Sequence, residues 1–174
     1  MKRTFFLFSL MVCFAMGLSA QNIVGKWQTD PISEEEGQKM VAELTFGADK
    51  TLQMNMSITM CDPESMNVEF HFTIDGTYSD IENNTIPFKL NGDNAVIVLD
   101  KMEFLGEMAE QLKDNQEMAE GIKKMMQQQI NASKGEMTEK IPSEGAFVIS
   151  EFSGDTMKLQ ISGEDETLTF KRIK

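Results

Sequence analysis

The stretch "LQMNMSITM", residues 52–60, decides how this chain is read. Leu52, Met54, Met56, Ile58 and Met60 fall on one face of an extended backbone; Gln53, Asn55, Ser57 and Thr59 fall on the other. Successive strand side chains point to opposite sides, so the spacing predicts a β-strand with one dry and one wet face. The run "MNVEFHFTI" at 66–74 repeats it: Met66, Val68, Phe70, Phe72 and Ile74 alternate with Asn67, Glu69, His71 and Thr73. A wet face means an antiparallel sheet, since strands of parallel sheets are apolar on both sides.

Working outward, more short strands are predicted, each ended by turn chemistry. Met40–Phe46 leads through Gly47-Ala48-Asp49-Lys50 into residue 52, a hairpin with a four-residue loop. Cys61-Asp62-Pro63 stops that strand because proline lacks the N–H donor. Thr85–Leu90 and Ala95–Asp100 flank Asn91-Gly92-Asp93-Asn94, which predicts a second hairpin. Ala146–Phe152, Met157–Ile161 and Thr167–Ile173 are joined by Ser153-Gly154-Asp155 and Gly163-Glu164-Asp165-Glu166. With Ile23–Thr29 this makes a mainly β fold, an eight- or nine-stranded antiparallel up-and-down barrel. Closure is the way such a sheet leaves no open edge. A small β-sandwich is the alternative architecture.

One segment breaks the two-residue period. From Glu103 to about Asn131 the apolar residues step by three and four: Leu105, Met108, Ala109, Leu112, Met118, Ala119, Ile122, Met125, Met126 and Ile130. This predicts a helical insertion, 103–133, before the last three strands. Gly106, Gly121 and Asp114-Asn115-Gln116 predict a kink or two shorter helices. Lys134–Pro142 reads as a loop returning to the sheet.

The first twenty residues read as a signal peptide. Lys2 and Arg3 precede the apolar run Phe5–Leu18, and Ser19-Ala20 offers small residues for cleavage. The run is too short to span a bilayer. Cleavage between Ala20 and Gln21 leaves 154 of the 174 residues, the single domain 21–174, in the periplasm or outside the cell. Val12 before Cys13 is a poor lipoprotein signal, so lipid attachment there is disfavoured. Without the leader only Cys61 remains, and no internal disulfide is possible; it reads as a half-buried small hydrophobe at a strand end. Losing Lys2 and Arg3 leaves 14 basic against 28 acidic residues, a net charge of −14 that opposes nucleic acid and anionic lipid surfaces.

Gly25-Lys26-Trp27 on the first strand resembles the Gly-x-Trp opening of lipocalins and their calycin relatives, including short lipocalin-like domains exported by Bacteroidetes. The Ser-Ala-Gln end of the leader resembles exported proteins of the same group. In that family the tryptophan plugs the closed end of an eight-stranded barrel, and a basic residue of the last strand packs across its indole. Leu168, Phe170 and Arg172 share the inward parity of the last strand, which makes Arg172 the partner and Gly25, Trp27 and Arg172 the expected plug. The chain departs from the family in placing its helix before the final three strands. The Thr-Asp-Tyr motif is matched only loosely, by Asp75-Gly76-Thr77-Tyr78.

The resemblance implies binding of a small apolar or lipid-like ligand inside the barrel. By parity the interior is lined by Phe46, Met54, Met56, Phe70, Phe72, Phe88, Phe147, Met157 and Leu159. Eight strands enclose a space that such side chains can also fill, so a solid core stays open as a reading. The insertion, Leu105–Ile130, reads either as a docking face for a partner protein or as a cover for the barrel. Met54-x-Met56, Met60-Cys61, Trp27 and His71 are soft donors suited to copper(I), but parity separates them: the methionines point one way, Cys61 and His71 the other. No metal ligand set or cofactor is assigned. No catalytic residues are assigned either: with one histidine, one cysteine after the leader and no Gly-x-Ser-x-Gly, nucleophile–histidine catalysis has no candidate, and His71 reads as a surface partner of Glu69.

Overall fold

The two ends of the folded chain lie side by side. Strand β1 (Gly25–Thr29) pairs antiparallel with the last strand, β9 (Thr167–Ile173), so that Trp27 faces Arg172 across the ladder. The computed structural model describes residues 22–33 and 36–174; the leader with Cys13 and the Ala20-Gln21 junction, and Glu34-Glu35, lie outside them. Between the ends run β2 (Gln38–Phe46), β3 (Thr51–Asp62), β4 (Met66–Tyr78), β5 (Thr85–Leu90), β6 (Val96–Phe104), β7 (Glu144–Phe152) and β8 (Thr156–Ile161). Helices α1 (Gly106–Leu112), α2 (Gln116–Ala132) and α3 (Lys134–Lys140) connect β6 to β7.

Every pairing is antiparallel, and the ring β1-β2-β3-β4-β5-β7-β8-β9 closes on itself through β1–β9. The barrel therefore has eight strands, and the ninth, β6, pairs only with β4. The alternation seen at 52–60 and 66–74 sets this register: Met54 faces Ile74, Met56 faces Phe72 and Ile58 faces Phe70, all on the inner side. Period-two patterning leaves no other choice, because a slip of one residue would turn the whole apolar set to water.

The Asn91–Asn94 segment is not the hairpin its composition predicts. β5 and β6 lie end to end on one edge of β4: Leu90 faces Gly76, and Val96 faces Thr73. Asn91 is extended at φ −104°, and its side-chain oxygen accepts from the Asp93 N–H at 3.2 Å, capping a single 3-10 turn over Gly92–Asn94. The turn that needs two left-handed residues lies one connection earlier. Asn83 and Asn84 have φ of 50° and 60°, and Glu82 and Thr85 exchange both backbone hydrogen bonds around them. That is the two-residue loop whose twist matches a hairpin.

At the bend β5 turns away to pair with β7, while β6 stays on β4. The outer edge of β6 is covered by α2, whose Gln127 Oε1 accepts from the Leu99 N–H at 3.4 Å. Ile130 is buried in the common core, with Met126, Met137 and Ile141 packed against it. Two sequence expectations change here. Strand β6 runs through Phe104, so the helices start at Gly106 rather than at Glu103, and the expected loop at 134–142 is largely helix α3. The expected break is present, with Asn115 accepting from the Met118 N–H at 3.1 Å to start α2. Met118 and Met125 are 55 % and 62 % exposed. They stand on the flank of a stripe centred on Ala119, Met126 and Ile130, which rolls toward Gln127 because that side chain serves the β6 edge.

The closed end is solid. Trp27, Phe46, Leu52, Phe72, Ile86 and Met157 are essentially without exposure. Phe46 meets Tyr78 edge-on at 5.1 Å, and the Tyr78 hydroxyl donates to the Gly47 carbonyl at 2.7 Å.

Candidate functional site

The barrel is plugged at one end and hollow near the other. At the plug, Trp27 packs against Phe152 with ring centroids 5.8 Å apart, and its indole N–H donates to the Ile23 carbonyl at 2.7 Å. The guanidinium of Arg172 lies 4.2 Å from the centre of the indole. It donates to the carbonyls of Val24 at 2.7 Å, Asn22 at 2.6 Å and Gly154 at 3.1 Å. Gly25 is required beside it: its φ is +128°, and a Cβ there would come within 2.8 Å of an Arg172 nitrogen.

At the opposite end the barrel holds a cavity of about 350 Å³. Its floor is formed by Leu44, Phe147, Leu159 and Phe170, each at most 4 % exposed. Phe147 divides hollow from solid: it stacks on Phe88 at 4.5 Å and meets Phe46 edge-on at 6.4 Å, while lining the cavity above. Met54 and Met56 of β3, with Ala42 of β2, form one wall, and Ile161 with Leu168 form the other. Ile141-Pro142, where α3 hands over to β7, and Glu164 and Glu166 of the β8–β9 turn stand around it as well. Where β1 stops, the Thr29 hydroxyl accepts from the Ala42 N–H at 3.1 Å, so no backbone donor of β2 is stranded there.

The nine residues expected inside the barrel divide between these regions. Met54, Met56, Phe147 and Leu159 line the cavity. Phe46, Phe72, Phe88 and Met157 are buried in the solid part, and Phe70 packs against the core from β4, outside the cavity lining. The reason lies in the closed end: the rings of Trp27, Phe46, Tyr78, Phe88 and Phe152 pack there together and leave no room. Leu168 and Phe170, already placed on the inward face of the last strand, line the cavity too, and Leu44, on the same parity of β2, could have been named from the alternation. Ile141 and Pro142 could not, because nothing local in a helix-to-strand connection says which space it borders.

The outer face differs from expectation at two points. His71 pairs with Asp100, not with Glu69: its Nδ1 lies 2.8 Å from both carboxylate oxygens. Glu69 instead approaches Lys101 at 3.9 Å. Asp100 reaches the ring because it is the extra residue of a β-bulge, lying between Leu99, opposite Phe70, and Lys101, opposite Glu69. Ser57 stands directly opposite His71 on β3, but among the described residues no hydrogen bond joins the hydroxyl to the ring. Cys61 is exposed, not half-buried, because it lies on the outward parity near the end of β3. The soft donors are dispersed: Met54 and Met56 at the cavity, His71 and Cys61 outside, Trp27 in the far plug. No group of three or more His, Cys, Asp or Glu side chains suited to a metal ion occurs among the described residues.

Compared with known proteins, the chain matches no protein-family model and no curated sequence. Among the described residues no helix is long and apolar enough to cross a membrane. What the geometry shows is a closed antiparallel barrel, compatible with a lipocalin-like fold, with one plugged end and one hollow end.

Proposed function

We propose that this protein is an exported, non-catalytic binder that holds a small apolar ligand in the hollow end of its barrel. The cavity beside Phe147 carries the reading. At about 350 Å³ it falls within the size range of small-molecule sites, and its lining is dominated by methionine, leucine, isoleucine and phenylalanine. Unbranched thioether side chains such as Met54 and Met56 adjust to ligands of different outline at little cost. The plug supports the same reading, since it leaves the barrel open to a ligand from one end only. Membership among lipocalin-like proteins, and export through the leader, belong to this proposal. The test is titration with N-phenyl-1-naphthylamine, which fluoresces on entering an apolar site. The processed protein should bind it with saturation, and Ala42→Trp, which fills the cavity from β2, should abolish the signal while the far-UV spectrum stays unchanged. An unmodified protein that gives no saturable signal overturns the proposal.

A second reading rests on Met118 and Met125, exposed on α2 at 55 % and 62 %. Large apolar side chains left in water on a helix flank suit docking of a partner protein. A double Met118→Gln, Met125→Gln variant should lose such a partner in pull-down from its own host while keeping dye binding. Equal capture by both forms removes this reading.

A further inference from the structure

The charges around the hollow end select what enters it. Resting on the binding role proposed above, we infer that the barrel takes a compact cationic amphiphile, an apolar body with an ammonium-type head, and discriminates against fatty-acid carboxylates of the same size. Three observations carry this. Among the described residues the lining includes Glu43, Glu164 and Glu166 and no lysine, arginine or histidine. Glu43 lies on the outward parity of β2, between Ala42 and Leu44, and pairs there with Lys26 at 3.4 Å. The rim charge therefore rests on Glu164 and Glu166, which belong to an exposed turn with Asp165 between them. Beyond the rim the whole chain is acidic, with 28 Asp and Glu against 16 Lys and Arg. A carboxylate head emerging from the cavity therefore meets like charge and finds no basic residue among the described lining to pair with. An ammonium head meets two carboxyl-bearing residues in a negative field that also concentrates cations at the mouth. Depth fits too: the apolar floor of Leu44, Phe147 and Phe170 offers a buried head group no polar partner, so the head must stay at the rim.

Three probes with one apolar body separate the possibilities: octyltrimethylammonium, octanol and octanoate, each titrated by calorimetry below the concentration at which it aggregates. In low salt the cation should bind about fivefold tighter than octanol and the carboxylate about fivefold weaker, the scale of two exposed charge contacts. Raising the salt to molar levels should collapse the three affinities toward one another. Glu164→Gln with Glu166→Gln should do the same without salt while leaving octanol unchanged. The turn is held by its backbone, through the Glu164 N–H to the Ile161 carbonyl at 3.0 Å and the Gln160 side chain to the Glu164 carbonyl, so these substitutions leave its hydrogen bonds in place. If octanoate binds as tightly as the cation, the selection is wrong while the cavity reading stands. If none of the three binds, the cavity reading falls and this inference with it.

Discussion

Arg172 and Trp27 face one another across the β1–β9 ladder, and the guanidinium sits 4.2 Å above the indole while its nitrogens hold the carbonyls of Asn22 and Val24. The contact joins a residue near the start of the folded chain to one near its end. Trp27→Ala should cost about 3–5 kcal/mol, the scale for emptying a large aromatic site. Arg172→Ala should cost about 2–4 kcal/mol, from the lost cation–π contact and the charged hydrogen bonds. Arg172→Lys should recover less than half, since an ammonium cannot fork to two carbonyls from a plane over the ring. Urea unfolding measures all three, followed by emission of the sole tryptophan for the parent and the Arg172 variants and by far-UV circular dichroism for Trp27→Ala.

Glycines at two places should respond in opposite directions to one added methyl group. Gly25→Ala forces a side chain into φ +128° and against Arg172, and should destabilise by about 2 kcal/mol or more. Gly121, inside α2 with nothing within 4 Å of a built Cβ, should gain about 0.5–1 kcal/mol on becoming alanine. Thermal melts of the two variants beside the parent decide the point.

The hairpin assignment is testable through its turn residues. Asn83 and Asn84 hold left-handed backbone, so replacing both by alanine should cost about 1–2 kcal/mol, and Asn84→Gly alone should be neutral or slightly stabilising. Gly92 lies outside the left-handed region and a Cβ there meets nothing closer than 3.9 Å, so Gly92→Ala should stay within about 0.5 kcal/mol of the parent. A hairpin at Asn91–Asn94 would reverse this ranking.

Burial pushes the Tyr78 hydroxyl above its ordinary pKa of 10.0, and the Lys50 ammonium nearby opposes that rise. The native state thus keeps the phenol proton to higher pH than the unfolded chain does. The stability this represents is fully present below about pH 10 and is lost as pH climbs through the folded value. Lys50, raised by its contact with Asp80, acts in the same direction. As the only tyrosine, Tyr78 can be followed by phenolate absorbance, which should rise above pH 10. Lys50→Gln should move that midpoint higher still, since the ammonium 5.1 Å from the ring favours the phenolate.

The residues at 52–60 and 66–74 made the barrel legible because alternation is a local signal with a global meaning. All nine strands lie where turn chemistry and period two place them. The Trp27–Arg172 pairing was legible only through a family resemblance, because no local pattern ties residues that far apart. The connectivity around β6 was not legible. Asn-Gly supports either a primed turn or a 3-10 cap, and the choice falls to the other edge of β5, which β7 claims from more than fifty residues away. The hollow was legible only as an interior. Which part of it is filled depends on how five rings at the closed end share one space, a packing question that alternation does not address.

The closing of the ring through β1 and β9 has a consequence for the order of events in folding. The β3–β4 hairpin can pair as soon as its residues exist, and the sheet can grow from it to β2 and β1 on one side and β5 on the other, all neighbours close in sequence. Strand β7 joins β5 only across the helical insertion. The ring itself cannot shut until Thr167–Ile173, the last strand of the barrel, pairs with β1. Until that moment β1 has one free edge and Trp27 lacks its cover. The sheet therefore stays open until β9 docks, and that strand acts as the latch.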